Sequence, residues 1–165
     1  MRHFRRHAFV YALLLAAIAF PASAGASPPV DVAGLKIDGV WARATPPGAQ
    51  VAGGFLHIAN ASKSADRLIG ISAPDAAAKV EIHQSTMVGN VARMRQIVGG
   101  LAIPPGGDIT LKPGGYHLMF LGLKAPFKKG EHVKATLDFK TAGKVDVIFD
   151  VRGIGAGAPQ GMHMN

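Results

Sequence analysis

The sequence predicts an all-β fold, a single-domain antiparallel β-sandwich of Greek-key type. Three observations predict it. Short apolar segments recur from Leu35 to Val151, with Gly, Pro and Asn turn chemistry between them. Two of these segments, 133–140 and 145–151, alternate apolar and polar residues with the period of a half-buried strand. Helical periodicity is almost absent, and only residues 75–79 leave room for one turn.

The chain opens with a segment that is set aside from the fold. Arg2, Arg5 and Arg6 precede the apolar run FVYALLLAAIAF, which ends at Pro21 and the small residues Ala22-Ser23-Ala24. A basic start, a short apolar core and an A-x-A site are the three parts of a cleavable secretory signal. The run is short for a bilayer span, and no second long apolar stretch follows. The reading is therefore export, with cleavage after Ala24 or Ala26 and no membrane insertion afterwards. Removing 24 of the 165 residues leaves 141, enough for one domain with a core of its own.

Residues 25–34 read as a flexible lead-in, and the domain as 35–152. Strand segments are expected at 37–44 (IDGVWARA, with the single Trp41), 51–59 (VAGGFLHIA), 68–72, 80–84 (VEIHQ), 91–98 and 101–103. They continue at 109–111, at 116–123, and at the alternating pair 133–140 and 145–151, joined by the hairpin turn Thr141-Ala142-Gly143. Turns are marked by Pro46-Pro47, by the polar stretch 60–66, by Pro74-Asp75, by Pro104-Pro105-Gly106-Gly107 and by Lys112-Pro113-Gly114-Gly115. From Gly153 the tail GIGAGAPQGMHMN is Gly-rich, without period, and expected to be disordered.

Composition excludes several function classes. The net charge is +8, of which three units belong to the signal arginines, and the remaining lysines are scattered rather than striped with aromatics. No nucleic-acid footprint is present. The chain contains no cysteine, which removes thiol nucleophiles, thiolate metal sites and blue-copper centres. Carboxylates are few and fall mostly on alternating solvent faces, and no G-x-S-x-G, HExxH or phosphate loop occurs. Enzyme chemistry is not expected.

The methionines are the anomaly. After the initiator they are Met87, Met94, Met119, Met162 and Met164, all near a histidine and none in the strands at 35–72 or 133–151. Methionine that merely filled core gaps would appear there as well. His117 and Met119 stand at i and i+2 on one strand, so they project from one face while Tyr116, Leu118 and Phe120 face the core. Imidazole and thioether together form a soft, neutral donor pair that selects Cu(I). Taken alone, the pair reads equally well as a core methionine beside an edge histidine. His83, ending the VEIHQ strand, and Met94, eleven residues later and beyond Gly89-Asn90, could fold back to supply a second pair. Alone, His83 reads as a surface histidine. His57 and His132 read as incidental.

The spacing of these four residues resembles the periplasmic copper chaperones of the PCuAC type. That family carries His, ten residues, Met, about twenty-one residues, then His-x-Met. Here ten residues separate His83 from Met94 and twenty-two separate Met94 from His117-Leu118-Met119. EIHQS, MRQI and IPPGGDITLKPGGYHLMFLGL extend the similarity over roughly 35–152. The one extra residue is placed at the turn Val98-Gly99-Gly100. The resemblance implies a cupredoxin-like domain with Cu(I) at His83, Met94, His117 and Met119. It also implies delivery of copper to periplasmic acceptors, such as an oxidase subunit or assembly factor for the cytochrome c oxidase copper centre, or more general copper buffering. A metal-independent envelope binding module is the competing reading. Met87 is expected at the rim of the site rather than as a donor. Met162, His163 and Met164 form a candidate second site, for which the resemblance suggests Cu(II).

Overall fold

The structure is a computed structural model that describes residues 27–89 and 91–157. Eleven strands run in chain order as β1 (Val30–Val32), β2 (Leu35–Arg43), β3 (Val51–Asn60), β4 (Asp66–Ser72), β5 (Ala77–Val88) and β6 (Val91–Gln96). They continue as β7 (Leu101–Ile103), β8 (Asp108–Leu111), β9 (Tyr116–Leu123), β10 (His132–Phe139) and β11 (Gly143–Arg152). Among the described residues there is no helix. The all-β expectation holds.

Strands β2, β11, β10, β4, β5, β9 and β3 follow one another around a ring, which closes where β3 pairs back onto β2. The sandwich is thus a closed, barrel-like one, and closure leaves its central strands without a free edge. Neighbours on the ring are antiparallel except at one seam, where Asp150–Arg152 of β11 run parallel to Trp41–Arg43 of β2. Strands this distant in sequence share no hairpin, so no tight turn imposes antiparallel order on them.

Alternation decides what the ring encloses. Val133, Ala135, Leu137 and Phe139 of β10 are buried, as are Val145, Val147, Phe149 and Val151 of β11. They pack with Ile37, Ile58, Leu118 and Phe120, each fully buried. Phe120 meets Phe127 and Phe149 edge-on, with centroids 5.3 and 5.5 Å apart, the arrangement favoured by ring quadrupoles. β3 passes close against these rings at Gly54, where a Cβ would lie 2.7 Å from Phe120 and 3.2 Å from Phe149. Only glycine fits there.

Three local expectations change. Part of the lead-in is ordered, because Val30–Val32 pairs with Leu35–Ile37 as β1. The possible helical turn at 75–79 is instead a turn followed by strand. The N–H groups of Ala76 and Ala77 both donate to the Ala73 carbonyl, and Ala77 already opposes Leu123 on β9. The His83 strand does not stop at Gln84 but runs on to Val88, because residues 83–88 find a partner in β6. Val98 and Gly99 do form a turn, as the spacing suggested. Gly99 and Gly100 have φ of 85° and 79°, and a Cβ on Gly100 would strike the Leu68 carbonyl.

Candidate metal centre

Register builds the site. β5 and β9 are antiparallel neighbours in which His83 lies directly opposite His117, and Glu81 directly opposite Met119. Opposed residues of an antiparallel pair share a face, as do residues two apart on one strand. Across the other edge of β5, Gln96 opposes His83, Met94 opposes Ser85 and Ala92 opposes Met87. Glu81, His83, Ser85 and Met87 therefore share one face with His117, Met119 and Met94. The four sequence-predicted donors lie on this one face, Met94 one register step diagonal to His83.

The two imidazoles lie with ring centroids 6.0 Å apart and planes tilted by 58°. A metal about 2.0 Å from one nitrogen of each ring is compatible with that separation. Each ring is held through its other nitrogen. His117, only 6% exposed, donates from Nδ1 to the Gly115 carbonyl at 3.0 Å, leaving Nε2 buried and without a partner. His83 donates from Nε2 to Glu81 Oε2 at 2.8 Å, leaving Nδ1 buried and without a partner. Buried polar atoms are almost always satisfied. Two such nitrogens on facing histidines are suited to hold an electrophile, and the opposite-nitrogen anchors are the arrangement that fixes a metal-binding tautomer.

Glu81 was not among the residues singled out from the sequence. Its signal was there, since Glu81 and His83 stand at i and i+2 on a strand and must share a face. The carboxylate also receives Lys79 Nζ at 2.6 Å. The hydrogen bonds from Lys79 and then His83 hold its pKa below the usual carboxylate range. An anion thus sits at the edge of a face otherwise made of neutral donors.

The thioethers differ in setting. Met119 is half-buried on the ring wall between Gly53 of β3 and Glu81 of β5. Met94 is 54% exposed on β6, a strand that among the described residues pairs only with β5. Met87, 66% exposed, lies farther along the β5–β6 arm, opposite Ala92. Met162, His163 and Met164 lie outside the described residues. His57 is half-exposed as expected, held between Asp38 and Asp108 at 3.2 Å each. Among the described residues, no group of three or more His, Asp or Glu side chains could hold a metal ion. Met94 and Met119 on the same face offer thioether sulfur, the soft ligand type that distinguishes Cu(I) from harder cations.

Comparison with known proteins places the chain in a family. Residues 35–151 match the model of the family described as "Putative lipoprotein LpqE-like". The chain belongs to the LpqE-like family. A curated relative, the putative lipoprotein Lxx21020 of Leifsonia xyli subsp. xyli, is 28% identical over 136 residues, covering 82% of this chain and 80% of the relative. Among solved structures, the copper-bound PCuAC domain from PmoF2 is 25% identical with a TM-score of 0.64, covering 76% of this chain and 98% of that domain. Cu(I)-DR1885 from Deinococcus radiodurans is 29% identical with a TM-score of 0.55, covering 79% and 83%. The likeness to PCuAC domains read from the His/Met spacing is borne out, and so is the cupredoxin-like sandwich.

Proposed function

We propose that this LpqE-like protein is a copper carrier of the bacterial envelope that holds one Cu(I) as cargo and catalyses nothing. The donors are His83 Nδ1, His117 Nε2 and the sulfurs of Met94 and Met119. The observation that carries this reading is the pair of buried, unpartnered imidazole nitrogens on facing strands, each ring anchored through its other nitrogen. The copper-bound PCuAC domain and Cu(I)-DR1885 support it by likeness. The signal-like leader supports export to the periplasm.

Carriers must release as well as bind. The imidazoles belong to the ring wall, whereas Met94 stands on a two-stranded arm and is more than half exposed. An acceptor can replace the Met94 sulfur first and draw the ion away by stepwise ligand exchange. The acceptors we favour are the copper centre of cytochrome c oxidase or its assembly factors, with copper buffering as the second reading. Anaerobic titration against a chromophoric Cu(I) competitor tests the binding, with one tight equivalent expected and none refuting it. Mixing the loaded protein with an apo acceptor tests the transfer. Copper retained by the carrier leaves buffering as its role.

A further inference from the structure

Outside the His/Met face, one polar cluster joins the start of the described chain to β11. The Ser27 backbone nitrogen donates to Asp150 Oδ2 at 2.6 Å, and the Ser27 hydroxyl donates to Asp150 Oδ1 at 2.7 Å. His132 Nδ1 approaches the same Oδ1 at 3.0 Å, and the Asp150 side chain is only 15% exposed. Two donors from one residue thus grip both oxygens of a largely buried carboxylate 123 residues away. Burial works against ionisation of Asp150, but the Ser27 and His132 hydrogen bonds outweigh it and hold the pKa below its ordinary value.

The leader offers two overlapping A-x-A sites, Ala22-Ser23-Ala24 and Ala24-Gly25-Ala26. Both satisfy a signal peptidase, which needs small residues one and three positions before the cut. Sequence does not choose between them. Cleavage after Ala24 leaves Gly25-Ala26 in place, and Ser27 donates to Asp150 as a neutral peptide N–H. Cleavage after Ala26 turns that same nitrogen into an α-ammonium, and a charge-assisted bond to a carboxylate is roughly twice as strong as a neutral one.

We propose that the Ala26–Ser27 bond is the processing site and that the new Ser27 ammonium docks on Asp150, locking the mature N-terminus to the barrel. The step is a hydrolysis. Water adds across the peptide bond, Ala26 leaves with the carboxylate, and Ser27 keeps the amine, protonated at neutral pH. The precursor already makes both Ser27–Asp150 hydrogen bonds, and cleavage strengthens one of them by placing a full positive charge on the donor. The inference rests on the export reading given above.

The test is the intact mass of the protein recovered from the envelope of cells expressing the full-length chain. A mature chain beginning at Ser27 is expected. One beginning at Gly25 overturns the proposal and leaves export standing, whereas an uncleaved chain overturns both. A second arm forces the alternative start with Ala26→Gln, which removes the small residue before the second site. Asp150→Asn is then added to each form. The Ser27-initiated protein is expected to lose roughly 3 °C more in Tm than the Gly25-initiated one, and equal losses overturn the docking. Should Asp150→Asn fail to fold, acetylation of the α-amine at neutral pH replaces it. About tenfold slower modification of Ser27 than of Gly25 is expected, and equal rates overturn the docking.

Discussion

Glu81 and His83, two residues apart on β5, share a hydrogen bond of 2.8 Å that turns one imidazole nitrogen into an anchor and leaves the other a free lone pair. Glu81 is thus a positioning residue for the proposed Cu(I) site. Replacing Glu81 with Ala is expected to weaken Cu(I) binding by about 10- to 100-fold, the usual cost of losing such a partner. Glu81→Gln, whose amide oxygen can still accept, should recover part of the loss. A competitor titration measures both, and unchanged affinity in Glu81→Ala would refute the role.

The thioethers are expected to matter for copper and little for folding. Met94→Leu removes a sulfur from an exposed position, so Tm should stay within a degree or two. Cu(I) affinity should fall at least tenfold, about 1.4 kcal/mol. Met94→Leu with Met119→Leu should leave no tight site.

Removing residues 159–165 separates the tail from the barrel site. We expect the full chain to bind a second, weaker copper through Met162, His163 and Met164, and the shortened chain to keep one Cu(I) at unchanged affinity. Metal analysis after gel filtration reads the stoichiometry. Identical copper counts would dismiss the tail site.

Asp66 gives the fold an acid sensitivity. Burial opposes its ionisation, but the backbone N–H groups of Arg67, Thr141 and Ala142, at 2.7, 2.8 and 2.9 Å, outweigh burial and lower its pKa from 3.8. Because the folded pKa is depressed, the contribution is complete above the unfolded value and lost as pH falls through the folded one. Asp66→Asn should cost about 1–3 kcal/mol near neutrality. The gap between variant and parent should narrow below about pH 4. Urea unfolding at stepped pH would show it, and a gap constant down to pH 2 would not fit.

Much of this was legible beforehand because it depends on period two. Alternation in 133–140 and 145–151 announced the β10–β11 hairpin, and the i, i+2 spacing of His117 and Met119 announced a shared face. The clustering of methionine near histidine pointed to soft donors before any register was known. What stayed hidden depends on pairing between distant segments. The His83–His117 opposition, the parallel seam between β11 and β2, and the capture of Ser27 by Asp150 arise from which strands become neighbours, and no local pattern encodes that. The extension of β5 beyond Gln84 was hidden for a related reason. Ser85 and Thr86 are polar on both faces, and only pairing with β6 makes them strand. Glu81 was visible in principle but carried no donor signature of its own.

The facing of His83 and His117 rests on a β5–β9 alignment in which every opposed pair from Ala77/Leu123 to Gln84/Tyr116 keeps one offset. A slip by a single residue would turn one imidazole inward and bring Leu118 outward. No loop has to be arranged when the ion arrives, since assembling the sheet has already met that entropic cost. At the proposed Cu(I) site, metal uptake would therefore double as a proofreading signal. Misaligned molecules would stay empty, correctly aligned ones would gain stability by mass action, and a population that loads fully would be one whose strands have all found their partners.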